Sequence, residues 1–219
     1  MRKLVTIILV VSFIFRCCSS AFAAKQPWSA KQIPSAEEIA LMVKQTAIAE
    51  WAKVAKMKVR ADPKSAFASR GVGVYPTRKG VILVTADYYK GLIPTGHAAI
   101  IYDSKTVVES VAEGVIFGNN DWNKTKYTCY GVTVISTTND QDSKAADWCK
   151  THLGKPYNYN YFDTSTRKSF YCSQLIWASY LENFKIDLNT LAFWIPFVGN
   201  AIHPVELVTT DKTCLVYSK

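Results

Sequence analysis

Short apolar runs rich in Val and Ile, separated by turn residues, fill the middle of the chain. "GVILVTA" (80–86), "HAAIIYD" (97–103), "KTVVESV" (105–111), "GVIFG" (114–118) and "YGVTVIS" (130–136) are the clearest. Dense β-branched residues in runs this short predict strands, and the short gaps between them predict an antiparallel meander.

On either side the runs give way to apolar positions at steps of three and four. Ser35 and Glu38 have capping-box spacing, and behind them Ile39, Met42, Val43, Ala47, Trp51 and Val54 recur at helical steps. That pattern predicts an amphipathic helix running to about Lys58. Residues 62–79, rich in Pro, Gly, Ser and Arg, read as a connection. Residues 142–153 predict a second helix closed by Gly154, with Ala145, Trp148, Cys149 and His152 on one side. Residues 171–184 predict a third, apolar almost all round and therefore central. "PVELV" and "CLVYS" add one late strand. The fold class is α+β: a small antiparallel sheet or barrel packed on a central helix, with an N-terminal helical extension.

The first residues change the picture of where the chain goes. Arg2 and Lys3 precede an apolar run, Leu4 to Phe15, and Ala21-Phe22-Ala23 follows as a small-residue cleavage signature. This is the pattern of a secretory signal peptide, and the run is shorter than the roughly 20 residues that span a bilayer. The expectation is a signal at 1–23, an extension and linker at 24–79, and one domain at 80–219, secreted or periplasmic after cleavage near Ala23. Cys17 and Cys18 invite a lipoprotein reading, but Arg16 makes a poor lipobox. Of the formal charge of +9, the leader carries three basic residues, leaving +6. The basic residues form no run, so the sequence gives no support for nucleic-acid binding. Peripheral contact with anionic cell wall or lipid fits the charge.

Candidate chemistry rests on few residues. Four cysteines follow the leader: Cys129, Cys149, Cys172 and Cys214. That is too few for a disulfide scaffold in a chain of this length, although Cys129 and Cys214 are free to approach each other. No metal-ligand spacing or phosphate loop is present, so neither metal nor cofactor is expected. Of the three histidines, His152 in a last helical turn and His203 before Pro204 read as structural. His97 opens a strand after "LIPTG", a loop-to-strand junction of the kind that carries function. In a hairpin turning near Asp103-Ser104, partners sum to roughly 206–208, which puts Glu109 opposite His97 or one diagonal step away. Two readings of Glu109 stand, the partner of His97 or an edge-strand carboxylate facing water. Cys172 heads a helix, where the dipole and a nearby imidazolium lower a thiol's pKa. Nucleophile, base and orienter are then all available.

These stretches, with "GKPYNYNYF" and "FYCSQLIWASYLE", resemble the circularly permuted branch of the NlpC/P60 papain-like superfamily, in particular its YiiX/YebB-like, YycO-related group. The histidine hairpin comes first and the cysteine helix last, as in that branch. The resemblance spans roughly residues 80–208 and implies Cys172 as nucleophile, His97 as base and Glu109 as third member. It also implies a site role for Tyr171, directly before the cysteine, for which a packing role is the alternative. Tyr157, Tyr159 and Tyr161 alternate, as residues lining a substrate groove or packing on the core would. Val81 stands where the group often has an acid, so that position is dispensable. The apolar stretch 191–202 reads as a segment buried against the N-terminal helix, with a wall of an apolar substrate pocket or a lipid contact as alternatives.

The implied activity is a cysteine hydrolase or amidase acting on a peptide, a peptidoglycan fragment or a related amide. The alternatives are a thiol acyltransferase or lipid hydrolase acting on acyl lipids or lipid amides, and a catalytically silent binding protein.

Overall fold

A computed structural model describes residues 33–64, 73–87 and 96–219. The apolar leader, with Cys17 and Cys18, lies outside the described residues. The elements run in the order α1 (Ala36–Val54), β1 (Ile82–Thr85), β2 (His97–Ile101), β3 (Thr106–Val111), β4 (Gly114–Asn119), α2 (Trp122–Thr125), β5 (Tyr130–Val134), α3 (Asn139–Lys150), α4 (Cys172–Phe184), β6 (Trp194–Ile195), β7 (Gly199–Asn200), α5 (Glu206–Thr209) and β8 (Thr213–Ser218).

Six strands form one antiparallel sheet in the order β4-β3-β2-β1-β5-β8. The chain meanders outward from β1 to the β4 edge, then returns to place β5 and β8 on the other side. Both faces of this sheet are covered. Ile82, Val84, Ala98, Ile100, Val108 and Val132 pack with Leu175, Ile176 and Ala178 of α4. The alternate residues Val81, Leu83, Ala99, Ile101 and Val107 pack with Trp122, Cys129 and Val216. Two-sided burial is why these strands read as continuous apolar runs rather than as an alternation. Burying each Ile or Leu contributes about 1.5–3 kcal/mol.

α1 starts where the sequence predicts, with the Ser35–Glu38 capping box formed. It ends at Val54 rather than near Lys58. The residues after it are drawn to the sheet, where Arg60 N–H donates to Leu215 O. Ala47 and Val54 join the main core, whereas Met42, on the expected apolar stripe, is exposed. α3 starts earlier than expected because Thr138 and Gln141 form a second capping box. "PVELV" folds as the helical turn α5, and "CLVYS" lies within the last strand, β8.

Asp142, in the first turn of α3, ties the connection before β1 to the helical layer. Its fully buried carboxylate accepts from Lys64 Nζ at 2.9 Å, Arg78 Nη1 at 2.8 Å and Thr137 Oγ1 at 2.5 Å. Arg78 Nε also donates to Asp62. Cys129, Cys149, Cys172 and Cys214 are all free thiols. Cys214 lies beside Thr133 and Cys129 beside Lys219, at opposite ends of the β5–β8 ladder.

Candidate active site

The β2–β3 hairpin places Ala99 opposite Glu109, so His97 lies one diagonal step from the carboxylate. That step is within side-chain reach, and His97 Nε2 meets Glu109 Oε2 at 2.6 Å. The side chains are 21 % and 14 % exposed, shielded but open on one side. Gly96 delivers the histidine: its φ is +66°, and a Cβ there would lie 2.4 Å from Thr85 O. No other residue tolerates both the left-handed backbone and that approach. Trp122 stacks on the imidazole at 5.4 Å with 26° between planes, and Lys126 Nζ sits 5.3 Å from the Trp122 ring centroid.

Cys172 is the first residue of α4. The chain reaching it is pinned at several points. Ser110 Oγ, the neighbour of Glu109, donates to Phe170 O at 2.6 Å within the core. Asn158 N–H donates to the same carbonyl. Gln174 Oε1 accepts from Tyr171 N–H and from Asn158 Nδ2, and its Nε2 donates to Asp163 O and Thr166 O. Cysteine and histidine hairpin are thus fixed to each other through β3.

The resulting electrostatics single out one thiol. Burial alone pushes the Cys172 thiol up, but the His97 imidazolium and the Ala98 and Ser173 backbone N–H groups outweigh it and lower the pKa. Burial likewise pulls His97 down, yet the Cys172 thiolate and then Glu109 raise it to about 9. The two groups favour the thiolate–imidazolium pair. With Nε2 held by Glu109, Nδ1 is the imidazole nitrogen left for the sulfur. At Cys129 and Cys149 burial dominates and pushes both up to about 12.

The other predicted site residues separate into two groups. Tyr157 lies next to the thiol, where burial and the Cys172 charge push its hydroxyl pKa up. Its ring is 4.9 Å from that of Tyr159, and Tyr159 and Tyr161 are exposed at 55 % and 41 %. Tyr171 is instead fully buried, and its hydroxyl accepts from Ile202 N–H at 2.9 Å. Burial and, after it, the Cys172 charge raise its hydroxyl pKa. The 191–202 stretch is also divided. Phe193, Ile195 and Ile202 are buried, while Leu191, Trp194 and Phe197 are exposed around the β6–β7 hairpin. Glu206 holds both ends of the stretch, accepting from Thr190 and from His203 N–H.

His152 is held by Trp148 O, and His203 stacks on Phe193 with its pKa pulled down to about 3 by burial. Sequence reasoning missed Trp122 and Ser110, whose contacts with the site depend on long-range pairing. Among the described residues no group of three or more His, Cys, Asp and Glu side chains is placed to hold a metal ion.

A sheet whose histidine hairpin precedes the cysteine-bearing helix is the permuted form of the papain-like fold. The chain belongs to the C92 family of permuted papain-like amidase enzymes (YaeF/YiiX), whose model matches residues 85–201, just over half of the sequence. It is similar to the uncharacterized protein YycO of Bacillus subtilis (strain 168), at 26 % identity over 156 residues. That match covers 68 % of this chain and 59 % of YycO, so the chain spans about three-fifths of that relative's length. The fold is also that of the crystal structure of the metalloprotein YiiX from Escherichia coli O157:H7, with a TM-score of 0.53 and 18 % identity over 65 % of this chain and 98 % of that one.

Proposed function

We propose that the protein is a secreted or periplasmic cysteine amidase in which Cys172, His97 and Glu109 cleave an amide of a peptide or cell-wall-related substrate. The observation that carries this reading is the single imidazole joining a thiol of lowered pKa to a carboxylate 2.6 Å away. The Cys172 thiolate attacks the substrate carbonyl carbon. The oxyanion that forms is met by N–H groups of the first turn of α4, which have no carbonyl partner inside the helix. The His97 imidazolium gives its proton to the departing amine as the carbon–nitrogen bond breaks, leaving a thioester. His97, again neutral, takes a proton from water as its oxygen attacks. The acid leaves, the sulfur departs as thiolate, and the starting pair is restored. Glu109 fixes the imidazole tautomer and stabilises its charge, the role a carboxylate plays in such triads.

Tyr157 and Tyr159 line the approach to the thiol. The signal pattern at 1–23 supports export, and the surplus of positive charge suits a cell-wall or membrane surface. A second reading, acyl-lipid hydrolysis or transfer by the same thiol, is favoured by the exposed Leu191 and Trp194. The two separate when the wild type and Cys172→Ala are incubated with peptidoglycan fragments and with acyl lipids. A thioester-sized mass increment on Cys172 with the fragments alone supports the amidase reading. An increment from the lipids alone overturns it in favour of the second, and none from either class removes both.

A further inference from the structure

A glycine inside a strand loses more chain entropy on folding than any other residue and offers no side chain to the sheet. Gly118 occupies such a position in β4, opposite Val107 of β3. The left-handed backbone that requires glycine at Gly96 and Gly114 is absent here. Its conformation would accept alanine, so the reason for glycine lies in the space beside it. A Cβ built on Gly118 would lie 1.9 Å from Glu109 Oε1, 2.9 Å from Glu109 Cδ and 3.2 Å from Val107 Cγ2. Glu109's direct partner on β4 is Ile116, and Gly118 is the next residue on the same face. The carboxylate leans along the strand into the notch that the glycine leaves. Its other oxygen, Oε2, is the one on His97 Nε2 at 2.6 Å.

We propose that Gly118 is a positioning residue for the catalytic reaction: its missing side chain is the socket that lets the Glu109 carboxylate reach His97. The proposal rests on the Cys172–His97–Glu109 reading and deepens it. A methyl group at 118 takes the place of Oε1. The end of a glutamate side chain is flexible and can swing away, but only by abandoning the short contact with His97. Alanine at 118 therefore acts like the removal of the Glu109 carboxylate. The imidazole loses the group that fixes its tautomer, and the thiol loses a fully formed imidazolium partner.

The test is the pH profile of Cys172 alkylation by iodoacetamide in the full chain, for wild type, Gly118→Ala, Glu109→Ala and the double variant. The expected result is that G118A and E109A raise the acidic midpoint alike, by about one pKa unit of lost thiolate stabilisation, which slows alkylation about tenfold at pH values below both midpoints. The double variant then behaves as E109A does, because no carboxylate remains to displace. If G118A alone fails to fold, truncating Glu109 removes the clash, and the double variant is expected to fold. A wild-type profile for G118A beside a shifted E109A overturns the socket and leaves the triad standing. An added loss from G118A in the E109A background, or a double variant that still does not fold, also overturns it. A wild-type profile for E109A removes Glu109 from the site, and the socket with it.

Discussion

Asp142 and Cys172 are both buried ionisable residues in the first turn of a helix, and they have opposite fates. Asp142 of α3 is fully buried and saturated: two cations and the Thr137 hydroxyl converge on its carboxylate, and the Thr133 and Tyr180 hydroxyls add to them. At Cys172 of α4 the His97 imidazolium and the Ala98 and Ser173 backbone N–H groups outweigh burial. A buried charge with all its partners in place has nothing left to offer a ligand, and it serves to fix the fold. A thiolate held by a single imidazole keeps its lone pairs available while its pKa stays low. The number of partners separates the structural centre from the chemical one, because both sit at a helix start and both are largely out of water.

Breaking each centre should therefore produce different losses. The largest is expected for His97→Ala, which in the proposed mechanism removes general acid and base together. Amide-cleavage kcat/KM should fall about 10²–10⁴-fold, with little change in thermal unfolding. A variant that instead unfolds while retaining specific activity would place His97 with the structural group. Asp142→Ala leaves Lys64 and Arg78 facing an empty carboxylate site, and breaking a buried pair this way costs about 3–5 kcal/mol. Chemical denaturation should show that loss, while the folded fraction keeps the wild-type pH profile of thiol alkylation. A stable Asp142→Ala protein with altered thiol chemistry would reverse the assignment.

The sequence carried these two centres unequally. His97 and Glu109 were legible because a hairpin couples positions by arithmetic: once the turn is placed at Asp103-Ser104, partner numbers have a nearly constant sum. Cys172 was legible because an apolar helix beginning at a cysteine is a local pattern. The Asp142 network was not, since it joins residues 62, 64 and 78 to a helix start far along the chain, and no local period records such a contact. Thr138 and Gln141 did carry the spacing of a capping box, and reading it would have moved the start of α3 from 142 to 139. "PVELV" looks like a strand, but Glu206 is buried with its carboxylate on Thr190 and His203, and those bonds go with a helical turn. Gly118 could not be read at all. A glycine in "GVIFG" signals a turn or a strand end until the register shows which carboxylate lies over it.

The central claim is that Cys172 and His97 form a thiolate–imidazolium pair across the neutral range, and the pH dependence of Cys172 alkylation by iodoacetamide tests it most directly. The lowered Cys172 pKa predicts rapid labelling at pH 6, where an ordinary cysteine with a pKa of about 8.5 is almost wholly protonated. The raised His97 pKa sets the other limit: amide-cleavage kcat/KM should rise through the Cys172 value and fall through about 9, as the imidazolium loses the proton it gives to the amine. Labelling of native Cys172 well below pH 8.5, abolished by unfolding in denaturant, is the result the structure predicts. Native labelling that begins only near pH 8.5 and matches the unfolded chain would contradict the ion pair and the catalytic assignment built on it.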